Sequence, residues 1–277
     1  MARKSAQTCD PAVEQEFERG KAYEQEQAHE KAFACFSAAA RGGHAGAEFC
    51  LAVCCEQGRG TERDLSQAVT HYRRAAWRGN AAAQYALGQC YADGRGIGRD
   101  EKSAYEWFRL SAENGLAAAQ HRVGVCCLYG IGTEKNFQAA AEWFRAAAEQ
   151  GDHLARCDLG SCYFSGRGVE KNERKAYACF RAAAMRGCAE AMNNLGYCFR
   201  FGRGVRKNEK KAFGCFRAAA RRGCAGAQYN LGLCYASGSG VAQNEEQALE
   251  WLRRAAQAGS EGAQSLLARS NGQERLP

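Results

Sequence analysis

One interval governs this chain. Cys54, Cys90, Cys126, Cys162, Cys198 and Cys234 stand 36 residues apart, and so do Ala68, Ala104, Ala140, Ala176, Ala212 and Ala248. Gly88, Gly124, Gly160, Gly196 and Gly232 keep the same interval. Gly79, Gly115, Gly151, Gly187, Gly223 and Gly259 close the units. A fixed period of this length marks stacked supersecondary units. Each is too small to bury its own apolar face, and neighbours bury it together. Six complete units run from residue 45 to 260.

Within a unit the apolar spacing changes phase once. In residues 191–224, AMNNLGYCFRFGRGVRKNEKKAFGCFRAAARRGC, Leu195, Cys198, Phe199 and Gly202 fall at helical spacing. Ala212, Phe216, Ala219 and Ala220 form a second helical stripe. Each unit therefore predicts helix A, a loop, helix B and a tight glycine turn. Proline occurs only at Pro11 and Pro277, so nothing interrupts these helices. Adding the two ends gives an expected total of fifteen helices.

The loops read GRGTERD, GRGIGRD, GIGTEKN, GRGVEKN, GRGVRKN and GSGVAQN. A phosphate-binding glycine loop lies between a strand and a helix. No alternating apolar strand precedes any of these, so the reading is structural. The first glycine suits a helix C-terminus with positive φ, and the second a tight reversal against a neighbouring helix. Asp64, Asp100, Asn136, Asn172, Asn208 and Asn244 suit the N-cap of helix B. Gln247 is placed to complete a capping box with Asn244.

The recurring pattern LGxCYxxGxGVxxxxxxAxxxxxxAAxxG resembles the Sel1-like repeat, a relative of the tetratricopeptide repeat. The resemblance implies an all-α, right-handed α/α solenoid acting as a non-enzymatic adaptor or scaffold. Residues 1–13 are expected to be a flexible N-terminus. Residues 14–44 are expected to form a tetratricopeptide-like capping hairpin, 45–260 six repeats, and 261–277 a capping helix and tail. The resemblance also implies a concave face lined by helix A that holds a peptide or protein partner. Transferring the related repeat's groove positions gives Asn193, Tyr197, Arg200 and Phe201 in one unit, with Tyr85, Tyr129, Phe164 and Tyr229 in others. Amphipathic aromatic side chains at such positions suit capture of an extended peptide.

The net charge is +8, and residues 166–222 hold 15 Lys or Arg against 4 Glu. Arg203, Arg206 and Lys207 stand in loop slots that other copies fill with Ile, Ser, Ala or Gln. They form the core of an expected basic edge for an acidic partner. Nucleic acid is disfavoured, because no recognition motif accompanies the charge. An anionic partner, nucleic acid or lipid, stays open as an alternative use of this segment. No apolar run is long enough to span a membrane, and no apolar stretch follows the basic start as a secretory leader requires.

The 16 cysteines do not read as a disulfide framework. Ladder members on stacked hairpins lie about 10 Å apart, beyond disulfide reach. A secreted branch of the Sel1 family staples its hairpins with regularly placed cysteine pairs, and that is the alternative reading. The second partners are irregular here, so a reduced compartment, hence a cytoplasmic location, is favoured. The five histidines do not cluster, and His44 and His153 are expected to be solvated. The paired CxxC spacing of a zinc site is absent, so neither metal nor cofactor is implied. No G-x-S-x-G, H-E-x-x-H, S-x-x-K or kinase motif occurs. The Glu residues are expected mainly on outer helix faces, which leaves no acid–base pair. No catalytic residue is assigned.

Overall fold

A computed structural model describes residues 10–270. Residues 1–9 of the expected flexible N-terminus and 271–277 of the expected C-terminal tail lie outside these residues. Among the described residues every regular element is an α-helix, and there are fifteen. The chain is an all-α repeat solenoid. It divides into two compact units, split after Asn136.

The first unit holds α1 (Pro11–Gln25), α2 (His29–Arg41), α3 (Ala45–Gln57), α4 (Leu65–Trp77), α5 (Ala81–Asp93), α6 (Glu101–Glu113) and α7 (Ala117–Tyr129). Each packs on the next. The second unit holds α8 (Phe137–Glu149), α9 (His153–Ser165), α10 (Glu173–Met185), α11 (Ala189–Phe201), α12 (Glu209–Ala220), α13 (Ala225–Ser237), α14 (Glu245–Gln257) and α15 (Glu261–Ser270). These also pack in sequence, and α11 additionally touches α13. Helix α1 begins at Pro11, earlier than the expected hairpin start at residue 14. The Asp10 carboxylate accepts the Ala12 N–H at 2.9 Å, and proline suits the first helical position.

The pair α11–α12 shows how a unit is built. Gly196 leaves a hole in α11 that the Phe216 ring of α12 fills; a Cβ there would sit 2.6 Å from the ring. Phe216 is fully buried, and Ala212 and Ala219 beside it let the helices approach. The loop then turns by the expected rules. Gly202 takes φ 70°, and its N–H donates to the Cys198 carbonyl. The Arg203 N–H reaches the same carbonyl at 2.9 Å. The Asn208 N–H donates to the Phe199 carbonyl at 2.8 Å, and its side-chain oxygen accepts the Lys211 N–H at 2.9 Å. Gly204 has a different task. It combines positive φ with contact to the previous repeat, where a Cβ would collide with the Glu173 carbonyl at the start of α10. The second glycine of every loop meets the start of the preceding helix B in this way.

Three local expectations are corrected. The capping box at Asn244 is half formed. Its side chain accepts the Gln247 N–H at 2.8 Å, but its own N–H is taken by the Tyr235 carbonyl at 2.9 Å, so Gln247 turns to Glu250. His44 is not simply solvated. Its Nδ1 accepts the Ala47 N–H at 3.0 Å to cap α3, and its ring lies 4.1 Å from that of Phe17. Glu48 is buried rather than on an outer face, at 3% exposure.

Glu48 departs from a second repeated bond. Gln84, Gln120, Gln228 and Gln264 occupy its slot in other repeats. Each donates its side-chain N–H to a carbonyl at the end of the preceding helix B, at 3.1–3.4 Å. These bonds satisfy acceptors that a helix end leaves open. A carboxylate cannot donate in that way. Glu48 instead pairs with His71 at 2.7 Å and Arg78 at 3.7 Å.

Two glycine substitutions separate backbone strain from steric exclusion. Gly187 has φ 92° with open space around it, whereas Gly204 has φ 69° and faces the Glu173 carbonyl. Gly187→Ala is expected to cost about 1–2 kcal/mol, the left-handed penalty alone. Gly204→Ala is expected to cost clearly more. Urea unfolding followed by circular dichroism measures both, and equal losses would contradict the close-approach role.

Candidate functional site

The second unit gathers most of the expected groove residues. Asn193, Tyr197, Arg200 and Phe201 recur at four-, seven- and eight-residue offsets along α11 and so share one face. The rings of Tyr197 and Phe201 lie 4.4 Å apart, and Phe164 of α9 meets Tyr197 edge-on at 5.9 Å. The Arg200 guanidinium lies over the Phe201 ring at 5.5 Å. Tyr197 is 41% exposed and Phe201 50%. Beside them an open groove of about 270 Å³ runs between α9 and α11, lined by Ser161, Phe164, Arg167, Asn194 and Tyr197 and floored by Phe180.

The other expected residues have different surroundings. The Asn193 side-chain oxygen accepts from Asn230 at 2.9 Å, a tie between α11 and α13. Tyr229 packs against Leu252, Ala255 and Ala263, so it joins the closing helix rather than the groove. In the first unit Tyr85 is half-buried, with its ring 5.5 Å from Phe108. Tyr129 is exposed at the end of α7.

The loop cations mostly face carboxylates. Arg203 pairs with Glu173 at 3.2 Å and Lys207 with Glu209 at 2.8 Å, while Arg206 is exposed. The hydrogen bond from Lys207 holds the Glu209 carboxyl below its ordinary pKa. The Arg203 slot repeats the arrangement: Arg59 reaches Glu24 at 2.9 Å, Arg95 reaches Glu56 at 2.5 Å, and Arg167 lies over the Phe137 ring. In each case the loop of one repeat reaches back to the repeat before it. The signal for this was present in the sequence as Arg slots in one repeat and Glu residues in another, but their distance in sequence hid the pairing.

The ladder cysteines are packing residues. Burial pushes the thiol of Cys54 up to about 12, and those of Cys90, Cys126, Cys162 and Cys198 up to about 11. Such thiols are poor nucleophiles at neutral pH. Among the described residues no group of three or more His, Cys, Asp or Glu side chains is placed to hold a metal ion. Among them, too, no helix is long and apolar enough to cross a membrane.

The Sel1 repeat model matches residues 15–44, 45–80, 81–116, 117–152, 153–188, 189–224 and 225–260. This chain belongs to the Sel1 repeat family. A protective antigen of uropathogenic Escherichia coli strains, c5321, displays an SLR fold and is 31% identical to it, with a TM-score of 0.80. That match covers 97% of this Sel1 repeat chain and 58% of the antigen, so the chain spans less than two thirds of it. A Sel1 repeat protein from Oxalobacter formigenes is 30% identical, with a TM-score of 0.79, over 87% of this chain and 96% of that one. No curated protein matches. The expected cytoplasmic location is corrected by these findings, because the relative matching nearly the whole chain is a protective antigen, which argues against it. Sel1 and tetratricopeptide-like repeats generally mediate protein–protein interactions through a concave repeat surface.

Exposure separates aromatic residues that hold the fold from those free to bind. Phe216→Ala is expected to cost about 3–5 kcal/mol, and Phe201→Ala less than about 1 kcal/mol. Denaturant unfolding of both variants checks this, and a large loss for Phe201→Ala would make that ring part of the core.

Proposed function

We propose that this Sel1 repeat protein is an adaptor that holds an extended segment of a protein partner in the groove between α9 and α11. The observation that carries the reading is the row of rings on successive A helices, half-buried Phe164 beside exposed Tyr197 and Phe201. Aromatic rings exposed at an open groove keep a large apolar area in water, and a partner side chain removes it. Arg200 and Arg167 flank the rings and fit an acidic residue beside the apolar anchor. The Asn194 side chain at the groove wall supplies polar groups for a peptide backbone.

Asn193 and Tyr229 act as supports in this reading, because both are engaged between helices. Arg203 and Lys207 serve chiefly the loop, through Glu173 and Glu209.

A peptide selected on the full chain from a display library of acidic and aromatic sequences provides the probe. Its affinity for wild type and for the Tyr197→Ala/Phe201→Ala variant is read by fluorescence anisotropy. The variant, folded by circular dichroism, is expected to bind at least about tenfold more weakly, a loss of about 1.4 kcal/mol. Unchanged affinity in the folded variant would overturn the reading.

A further inference from the structure

Two cysteines stand outside the 36-residue ladder and meet in space. Cys157 lies in α9, in a slot that other repeats fill with Phe49, Tyr85, His121, Asn193 and Tyr229. Cys188 is the N-cap of α11, in a slot filled elsewhere by His44, Asn80, Leu116, Asp152, Cys224 and Ser260. Of the six full-length repeats, the one spanning 153–188 alone holds cysteine in both slots. The repeat fold therefore does not require sulfur at either place. Asn80 and Asp152 cap their helices through oxygen, and sulfur is a weaker acceptor at that position.

Both side chains are buried, in one cluster with Ala176, Phe180, Ala183 and Ala191. The two thiols act on each other, Cys188 raising the pKa of Cys157 and Cys157 lowering that of Cys188. Asn194 reaches the Cys157 sulfur at 3.8 Å, and Glu190 lies 3.7 Å from the Cys188 sulfur.

We propose that Cys157 and Cys188 are joined by a disulfide that fastens α9 to the start of α11. These two helices carry Phe164 and Tyr197, so the bond would fix the walls of the groove.

The chemistry is thiol–disulfide exchange with a small oxidised disulfide such as oxidised glutathione. The Cys188 thiolate attacks one sulfur of that disulfide and expels one glutathione thiolate. Cys157 then loses its proton and attacks the Cys188 sulfur, expelling the second. Two protein thiols are oxidised by two electrons, and one glutathione disulfide becomes two thiols. Because both sulfurs are buried in the folded chain, the exchange belongs to oxidative folding, before the pair is covered, and the two cysteines are interchangeable as first attacker.

The test refolds the reduced, unfolded full chain in a mixture of reduced and oxidised glutathione. Free thiols are alkylated, and cysteine peptides are mapped by mass spectrometry. The expected dominant product is a peptide pair linked through Cys157 and Cys188, with the ladder cysteines alkylated. The wild-type melting temperature is expected to rise by several degrees in oxidising over reducing buffer, and Cys188→Ser to lose that rise. Alkylation of both residues, or their linkage to other cysteines, would overturn the proposal. So would a rise that persists in Cys188→Ser.

Discussion

A single carbonyl oxygen at the start of each helix B decides what the next repeat's loop can be. At Glu173 it faces Gly204, and no side chain fits between them. The first glycine, Gly202, solves a problem internal to its own hairpin by ending α11 with a left-handed residue. The second solves one between repeats, by letting the loop backbone lie on the preceding repeat. Arg203 stands between the two glycines and reaches Glu173 from above the same contact. The loop is thus a fastener with a steric part and an ionic part. The steric part recurs in all six loops. The ionic part is absent where Ile131 and Ser239 replace arginine, and Arg167 meets the Phe137 ring instead, as expected of exposed ion pairs that add little.

The same contact explains what was legible in the sequence. The period, the helix pairs and the N-caps are local, and the 36-residue register exposes them directly. Phe216 opposite Gly196 was readable because a large and a small residue recur at fixed positions within one unit. Partnerships between repeats were not readable. Glu173 with Arg203, or Gln84 with the carbonyl of Ala76, link residues whose meeting depends on how hairpins stack. Glu48 is an exception to the expectation that Glu residues lie mainly on outer faces, because its slot is the buried glutamine slot of its siblings. Of the positions transferred from the related repeat's groove, Tyr197 and Phe201 lie exposed on one face of α11, whereas Tyr229 is covered by the closing helix, which local sequence does not reveal.

The fold and the proposed site use different chemistry. Ladder cysteines, alanines and the Phe216 class of ring fill the interior and hold no ionisable work. The exposed rings of Tyr197 and Phe201, with half-buried Phe164 and Arg200, form a surface that no repeat rule demands. Cys157 and Cys188 sit where these two systems meet, beneath the groove and off the ladder. The finding against the expected cytoplasmic location weakens the argument for keeping that pair reduced.

The basic loop GRGVRKN is the point on which a recognition role and a fastening role give opposite results. Grafting the last loop's sequence onto it, through Arg203→Ser, Arg206→Ala and Lys207→Gln, keeps both glycines and the cap and removes the cations. Affinity for a groove peptide and the melting temperature of this variant test the account most directly. The account predicts an affinity within about threefold of wild type and a nearly unchanged melt. A loss of tenfold or more in affinity, with the fold intact, would contradict it and make the loop itself the recognition element.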